Sequence, residues 1–267
     1  ANVLGTREVL RLATRTEPVP VHYVSTAAVS VGTDETLDPV PEDHRVEPGS
    51  LVPGGYAASK WVAEQLVWEA ARRGLPVTVH RCGRVSGHTR SGAGSGRDVL
   101  WQLVRAMLAT GAAPGTAGTD GSEALVDLVP VDYAAAAVVH LSRNPRAHGR
   151  AHHLTCPQPL PLSEVLDHLR DHGYRLETLP HEEWIRTLRR QADAATGAER
   201  ELLDTALLLS DILPTLARLG RIRFDRANTR AGLADSALSF PQLDGELIRT
   251  YADHFAATGF FPPTAAH

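Results

Sequence analysis

Two short runs of β-branched residues, Pro20-Val-His-Tyr-Val-Ser-Thr26 and Pro76-Val-Thr-Val-His80, flank one long helical stretch. Each run is too short for a helix and each reads as a buried strand of a parallel sheet. The stretch between them extends to about Arg73 and closes on Gly74, the residue type suited to the position after a helix end. Strand, helix and strand in this order make a βαβ unit, with parallel strands and a right-handed crossover. The fold class that follows is α/β.

The helix opens on Gly54-Gly-Tyr-Ala-Ala-Ser-Lys-Trp-Val-Ala-Glu64. Tyr56 and Lys60 stand four apart, hence on one helical face. A free phenol ionises at about pH 10. A nearby ammonium favours the phenolate and makes the hydroxyl a usable proton donor closer to neutrality. Any amphipathic helix with a half-buried Tyr and a surface Lys gives the same spacing, so the pair alone does not decide. The first strand ends in Ser25 and Thr26, and ligands of open α/β sheets sit at the carboxyl ends of strands. Those hydroxyls can meet a reacting carbonyl there, or simply satisfy backbone groups as the strand ends.

The remaining sequence alternates in the same manner. Asn2–Ala13 has helical periodicity, and Gly5 within it costs about 1 kcal/mol relative to Ala, which predicts close packing at that point. Residues 31–52 are rich in Pro, Asp, Glu and Gly, a loop long enough to suggest function or mobility. Further helices are expected at Arg97–Thr110, Tyr133–Ser142 with Asp132 as its N-cap, Leu162–His172, His181–Gln191, Ala198–Leu213 and Pro241–Thr258. Extended segments are expected at Leu125–Asp132, His152–Cys156 and Tyr174–Leu179.

A net charge of -4 without a basic block argues against a nucleic-acid partner. Two cysteines make no disulfide framework and suit a reducing compartment, expected to be the cytoplasm. No apolar run is long enough for a membrane span. A metal site is not expected, because His152 and His153 are neighbours on a strand and face opposite ways. The chain starts at Ala1, already in a helical pattern, and is expected to be a piece of a longer polypeptide.

Four pieces resemble the extended short-chain dehydrogenase/reductase family. They are Asn2-Val-Leu-Gly-Thr6, Tyr23-Val-Ser-Thr26, Gly55-Tyr-Ala-Ala-Ser-Lys60 and Leu125-Val-Asp-Leu-Val-Pro-Val-Asp-Tyr133. The last, with the closing Gly259-Phe-Phe-Pro262, is similar to the thioester reductase domains that terminate nonribosomal peptide synthetases, polyketide synthases and carboxylic acid reductases. The resemblance implies a partial Rossmann-like catalytic domain over residues 1–156. It implies a smaller, mainly helical substrate and carrier-docking lobe over 157–267, with some strands returning to the main sheet.

It further implies NADPH as cofactor and an acyl or peptidyl carrier protein, with its phosphopantetheine arm, as partner beside upstream synthetase modules. Thr26, Tyr56, Lys60 and Asn2 are the implied catalytic residues. Tyr56 and Lys60 with Cys82, Gly83, Arg84 and Val85 are the implied cofactor contacts. Two departures stand out. Cys82 occupies a position where the family has Pro, and the Gly-x-x-Gly-x-x-Gly turn that holds a pyrophosphate at a helix N-terminus is not in these residues. Such a half would put roughly 100 residues upstream, so this chain alone is expected to bind the dinucleotide weakly or not at all. Two other readings share part of the pattern: a sugar-nucleotide epimerase or dehydratase, and a non-catalytic carrier-docking remnant.

Overall fold

A computed structural model describes residues 1–30, 37–47, 54–115, 123–210, 213 and 220–264. In chain order the elements are α1 (Asn2–Ala13), β1 (Val21–Thr26), α2 (Gly55–Arg72), β2 (Val77–Cys82), β3 (Arg84–Ser86), α3 (Val99–Thr110), β4 (Ala112–Pro114), β5 (Leu125–Val126), β6 (Leu128–Pro130), α4 (Val131–Ser142), β7 (Ala151–Leu154), β8 (Leu160–Pro161), α5 (Leu162–Asp171), β9 (Glu177–Leu179), α6 (His181–Ala194), α7 (Gly197–Ser210), α8 (Ala227–Gly232) and α9 (Gly245–Ala257). They divide into two compact units. The first holds residues 1–85, 128–157 and 222–240; the second holds 86–127, 158–221 and 241–267.

The first unit is built on a three-stranded parallel sheet, β1–β2–β7. Its register pairs Ser25 with Arg81, Val24 with His80, and His80 with His152. Side chains alternate across a strand, so the register sorts them onto two faces. Val77, Val79 and Ala151 bury against Val67 and Trp68 of α2 and Ala13 of α1. Cys82 and Leu154 bury on the other face against Tyr133, Ala137 and Leu141 of α4 and Leu233 beyond α8. β2 is buried along its whole length because both its faces are covered, and burying each of its Val side chains contributes about 1.5–3 kcal/mol. β1, expected as a buried strand, is only partly covered: Ser25 is buried but Val24 is 52% exposed.

Glu42, in the segment before α2, ties the last part of this unit in place. Its carboxylate is buried and accepts from the His153 amide (2.7 Å), from the amides of Asn228 and Thr229, and from the Thr229 hydroxyl (2.6 Å). Burial pushes the Glu42 carboxyl up, and those hydrogen bonds pull it back.

The second unit centres on Trp101 of α3, ringed by Tyr251, Phe255 and Phe261 at 5.4–6.3 Å between centroids. Asp98 caps α3 by accepting from the Leu100 and Trp101 amides. Tyr251 donates to the Gly87 carbonyl (2.9 Å) and Trp184 to the Ala112 carbonyl (3.1 Å), so both rings are buried without stranding a polar atom.

Several sequence expectations shift by a few residues, and some change in kind. The expected cut at 156/157 marks one crossing between units. Yet residues 86–127 pack with the second unit and 222–240 return to the first. What returns is the short helix α8 and a bridge from Val40 to Phe224, rather than further strands of the main sheet. Asp132 is not the N-cap of α4: the helix begins at Val131 behind Pro130, and Asp132 lies in the first turn. Among the described residues, a Cβ at Gly5 would meet nothing within 4 Å. Residues 31–36 and 48–52 of the predicted loop, and 211–212 at the end of the predicted helix Ala198–Leu213, lie outside the described residues.

Two consequences can be measured. His80, His152 and His153 are buried in the first unit, and desolvation holds them at about 3, 4 and 3, far below the free imidazole. The unfolded chain therefore takes up these protons first as pH falls through about 6.5. Stability is fully present above that pH and is lost towards pH 4, by about 1.4 kcal/mol per pH unit for each histidine. The urea midpoint at pH 5 should fall well below that at pH 7.5, and His80→Leu should flatten the slope. In the second unit, Gly92 has φ +67° and a Cβ there would collide with the Thr250 carbonyl oxygen. Gly92→Ala should cost about 2–4 kcal/mol in chemical denaturation, from strain and displaced backbone.

Candidate active site

The residues singled out in the sequence all fall within the first 85 residues, in the first unit. Thr26 ends β1, and its hydroxyl accepts from the Ala28 amide at 3.4 Å. Tyr56 and Lys60 lie in the first two turns of α2. This helix starts on a backbone turn at Gly54, where φ is +135°, a value that favours glycine. Tyr56 is 65% exposed. Lys60 reaches back to β1, donating from Nζ to the Val24 carbonyl (2.7 Å) and lying 4.3 Å from the centre of the Tyr23 ring. No hydrogen bond joins Lys60 to the Tyr56 hydroxyl among the described residues. Asn2 on α1 donates from Nδ2 to Ser59 Oγ (3.0 Å), and Ser59 donates to the Tyr56 carbonyl (2.9 Å). Asn2 thus joins the helix that carries Tyr56 and Lys60.

Past the end of β2, the Gly83 amide donates to the Leu154 carbonyl (2.9 Å) and fixes where the chain leaves the sheet. Cys82 is buried with its side chain in the α4-facing core, so it faces the interior as a small hydrophobe. Val85 is 41% exposed and Gly83 and Arg84 are half-buried. The segment after Cys82 therefore presents backbone and one apolar side chain to its surroundings.

The sequence pattern assigns no role to Glu64 and Arg81, yet they form the most buried charged contact of this region. Arg81 donates from both Nε (3.1 Å) and one terminal nitrogen (2.7 Å) to Glu64 Oε1, with each side chain only 2% exposed. The Ser25 hydroxyl donates to Glu64 Oε2 (2.6 Å) and Trp68 Nε1 donates to Oε1 (3.0 Å). Arg81 also donates to the Glu42 carbonyl (3.0 Å). The residues do carry a signal for this pair: an Arg inside an otherwise buried strand needs a counter-charge, and Glu64 follows Lys60 at the i+4 position of the same helix.

These residues suit one end of a nicotinamide dinucleotide. An exposed phenol, an ammonium one turn away and a strand-end hydroxyl gather at the carboxyl ends of parallel strands, the usual ligand side of an open α/β sheet. Tyr56 and Lys60 would hold the ribose end, and the backbone of residues 82–85 the nicotinamide. A glycine-rich pyrophosphate turn is not among these residues.

The profile of a family described as male sterility protein, an NAD-binding family, matches residues 1–138, just over half the chain. Isonitrile lipopeptide synthase of Streptomyces coeruleorubidus is 37% identical over 99% of this chain and 18% of its own length. A linear gramicidin synthase polypeptide of Brevibacillus parabrevis is 30% identical over 97% of this chain and 5% of its own. The chain thus spans a fifth or less of these curated relatives. The crystal structure of the terminal R domain from the myxalamid PKS-NRPS biosynthetic pathway superposes with a TM-score of 0.84 at 41% identity, over 98% of this chain and 64% of that one. With its strand-end hydroxyl and Tyr-x-x-x-Lys helix in one unit, the chain belongs to the male sterility protein family, in the thioester reductase branch of the extended short-chain dehydrogenases/reductases.

Proposed function

We propose that this chain carries the catalytic centre of a reductive-release domain in a multidomain synthetase of the cytoplasm. It reduces an acyl or peptidyl thioester, held on the phosphopantetheine arm of a carrier protein, to an aldehyde. The observation that carries this reading is the meeting of α2 with β1. Lys60 is hydrogen-bonded two residues before Thr26 and stands one turn from Tyr56.

NADPH, when bound, supplies hydride to the thioester carbonyl carbon. The hydroxyls of Thr26 and Tyr56 donate to the carbonyl oxygen as negative charge builds there, which stabilises that charge by a few kcal/mol. Tyr56 gives its proton to this oxygen. The Lys60 ammonium binds the ribose. Asn2, through Ser59, steadies the first turns of α2 and stands beside a path for returning the proton. The tetrahedral hemithioacetal then loses the thiol: its C–S bond breaks, the oxygen electrons re-form the carbonyl, and the sulfur leaves protonated on the carrier arm. A second hydride can take the aldehyde to an alcohol. The lobe of residues 157–267 shapes the acyl pocket and receives the carrier.

Calorimetry with NADPH, on this chain and on its longest native polypeptide, tests the reading together with an acyl-thioester reduction assay. The longer polypeptide should bind and turn over. Tyr56→Phe should lower kcat by about 10²–10⁴-fold, the range of a lost general acid, with NADPH affinity little changed. A longer polypeptide that binds no dinucleotide would leave carrier docking without catalysis as the function. Binding NADPH without reducing any acyl thioester would point to another substrate class.

A further inference from the structure

The reacting groups proposed above come from three separate elements, and each is covalently adjacent to a residue that grips one buried carboxylate, or shares a helix face with it. Thr26 follows Ser25, whose hydroxyl donates to Glu64 Oε2 (2.6 Å). Lys60 precedes Glu64 by one turn on the same face of α2. Cys82, which opens the segment 82–85, follows Arg81, whose guanidinium donates to Glu64 Oε1 (2.7 Å). Ser25 and Arg81 are paired in the sheet register, so both point to the α2 face while Thr26 and Cys82 point to the other. Ser25, Glu64 and Arg81 are all at least 96% buried, so water does not compete for these bonds. Trp68 Nε1 (3.0 Å) and the Glu42 carbonyl (3.0 Å) occupy further positions around the pair.

We propose that Ser25, Glu64 and Arg81 are positioning residues of the site: the Glu64 carboxylate sets the offset of the β1 end from α2, and so of Thr26 from Tyr56 and Lys60. This rests on the reading of Thr26, Tyr56 and Lys60 as the reducing centre. The physical reason is geometric. Two hydroxyls from different elements must meet one carbonyl oxygen, and a shift of about 1 Å in such an arrangement costs on the order of 10²-fold in rate. A hydrogen bond to a charged acceptor in a dry interior is short and directional enough to hold that offset.

The decisive variant is Ser25→Ala, made in the longest native polypeptide. It removes the β1 bond and leaves the ion pair intact, whereas Glu64→Gln strands a buried guanidinium and risks misfolding. Ser25→Ala should lower kcat by about tenfold or more, with the thioester KM and NADPH affinity held within about threefold. Ser25→Thr, which keeps the hydroxyl, should restore most of the rate. In the unliganded protein the γ-methyl NMR signal of Thr26 should shift or broaden in Ser25→Ala and return in Ser25→Thr. A variant that melts earlier yet keeps kcat and an unmoved Thr26 signal would reduce the cluster to a structural role and overturn the proposal. If the parent protein reduces no thioester, the reading of function falls by itself. The Thr26 signal still judges the positioning claim: moved, it stands; unmoved, it fails.

Discussion

An arginine and a glutamate buried together govern much of the first unit. Taking two charges out of water costs several kcal/mol each, and their mutual attraction repays it only when the remaining donors and acceptors are also met. Here they are met: Glu64 accepts from Arg81, Ser25 and Trp68, and Arg81 donates onward to the Glu42 carbonyl. An apolar pair of equal volume would serve stability as well or better. What an apolar pair would not do is fix direction. The contact joins α2, β1, β2 and the segment before α2, so the orientation of the helix that bears Tyr56 and Lys60 depends on it.

Glu42 extends the same logic to the end of the unit. Its backbone carbonyl serves Arg81 and its carboxylate serves His153, Asn228 and Thr229. A file of imidazoles, His22, His80 and His152, is spaced 5.7–6.0 Å across the three strands on the α4 face. Kept neutral by burial, they pack as small aromatic rings. The interior of this sheet therefore holds two polar regimes: a charged, fully bonded cluster on the α2 face, and a row of neutral histidines on the other.

Much of this was legible in the residues. The β-branched runs located β1 and β2, and the spacing of Tyr56 and Lys60 located the first turns of α2, because local patterning suffices there. Less legible was what depends on distant partners. Strands β3 and β4 are three residues each and form only because β6 and β9 lie beside them. The short helix α8 is anchored by Glu42, 185 or more positions earlier in the chain. The approach of Lys60 to the Val24 carbonyl, in place of the Tyr56 hydroxyl, is set by how α2 leans on β1, which helical spacing does not specify. A single boundary does not describe the interleaved segments of the two units for the same reason, since adjacency in sequence is a poor guide to which segments share a core.

That interleaving bears on synthesis and on exchange between proteins. The first unit takes its last segment from residues 222–240, and the second ends with 241–267. Neither can close while the chain is still emerging at residue 200, so the βαβ segment waits, with α8 and its Glu42 anchor unmade, until residues 222–240 have been synthesised. An engineer who wished to graft the second unit of one relative onto the first unit of another could not do so with one crossover. Three separate stretches would have to travel together, and any recombination point inside them would leave a core built from two incompatible halves.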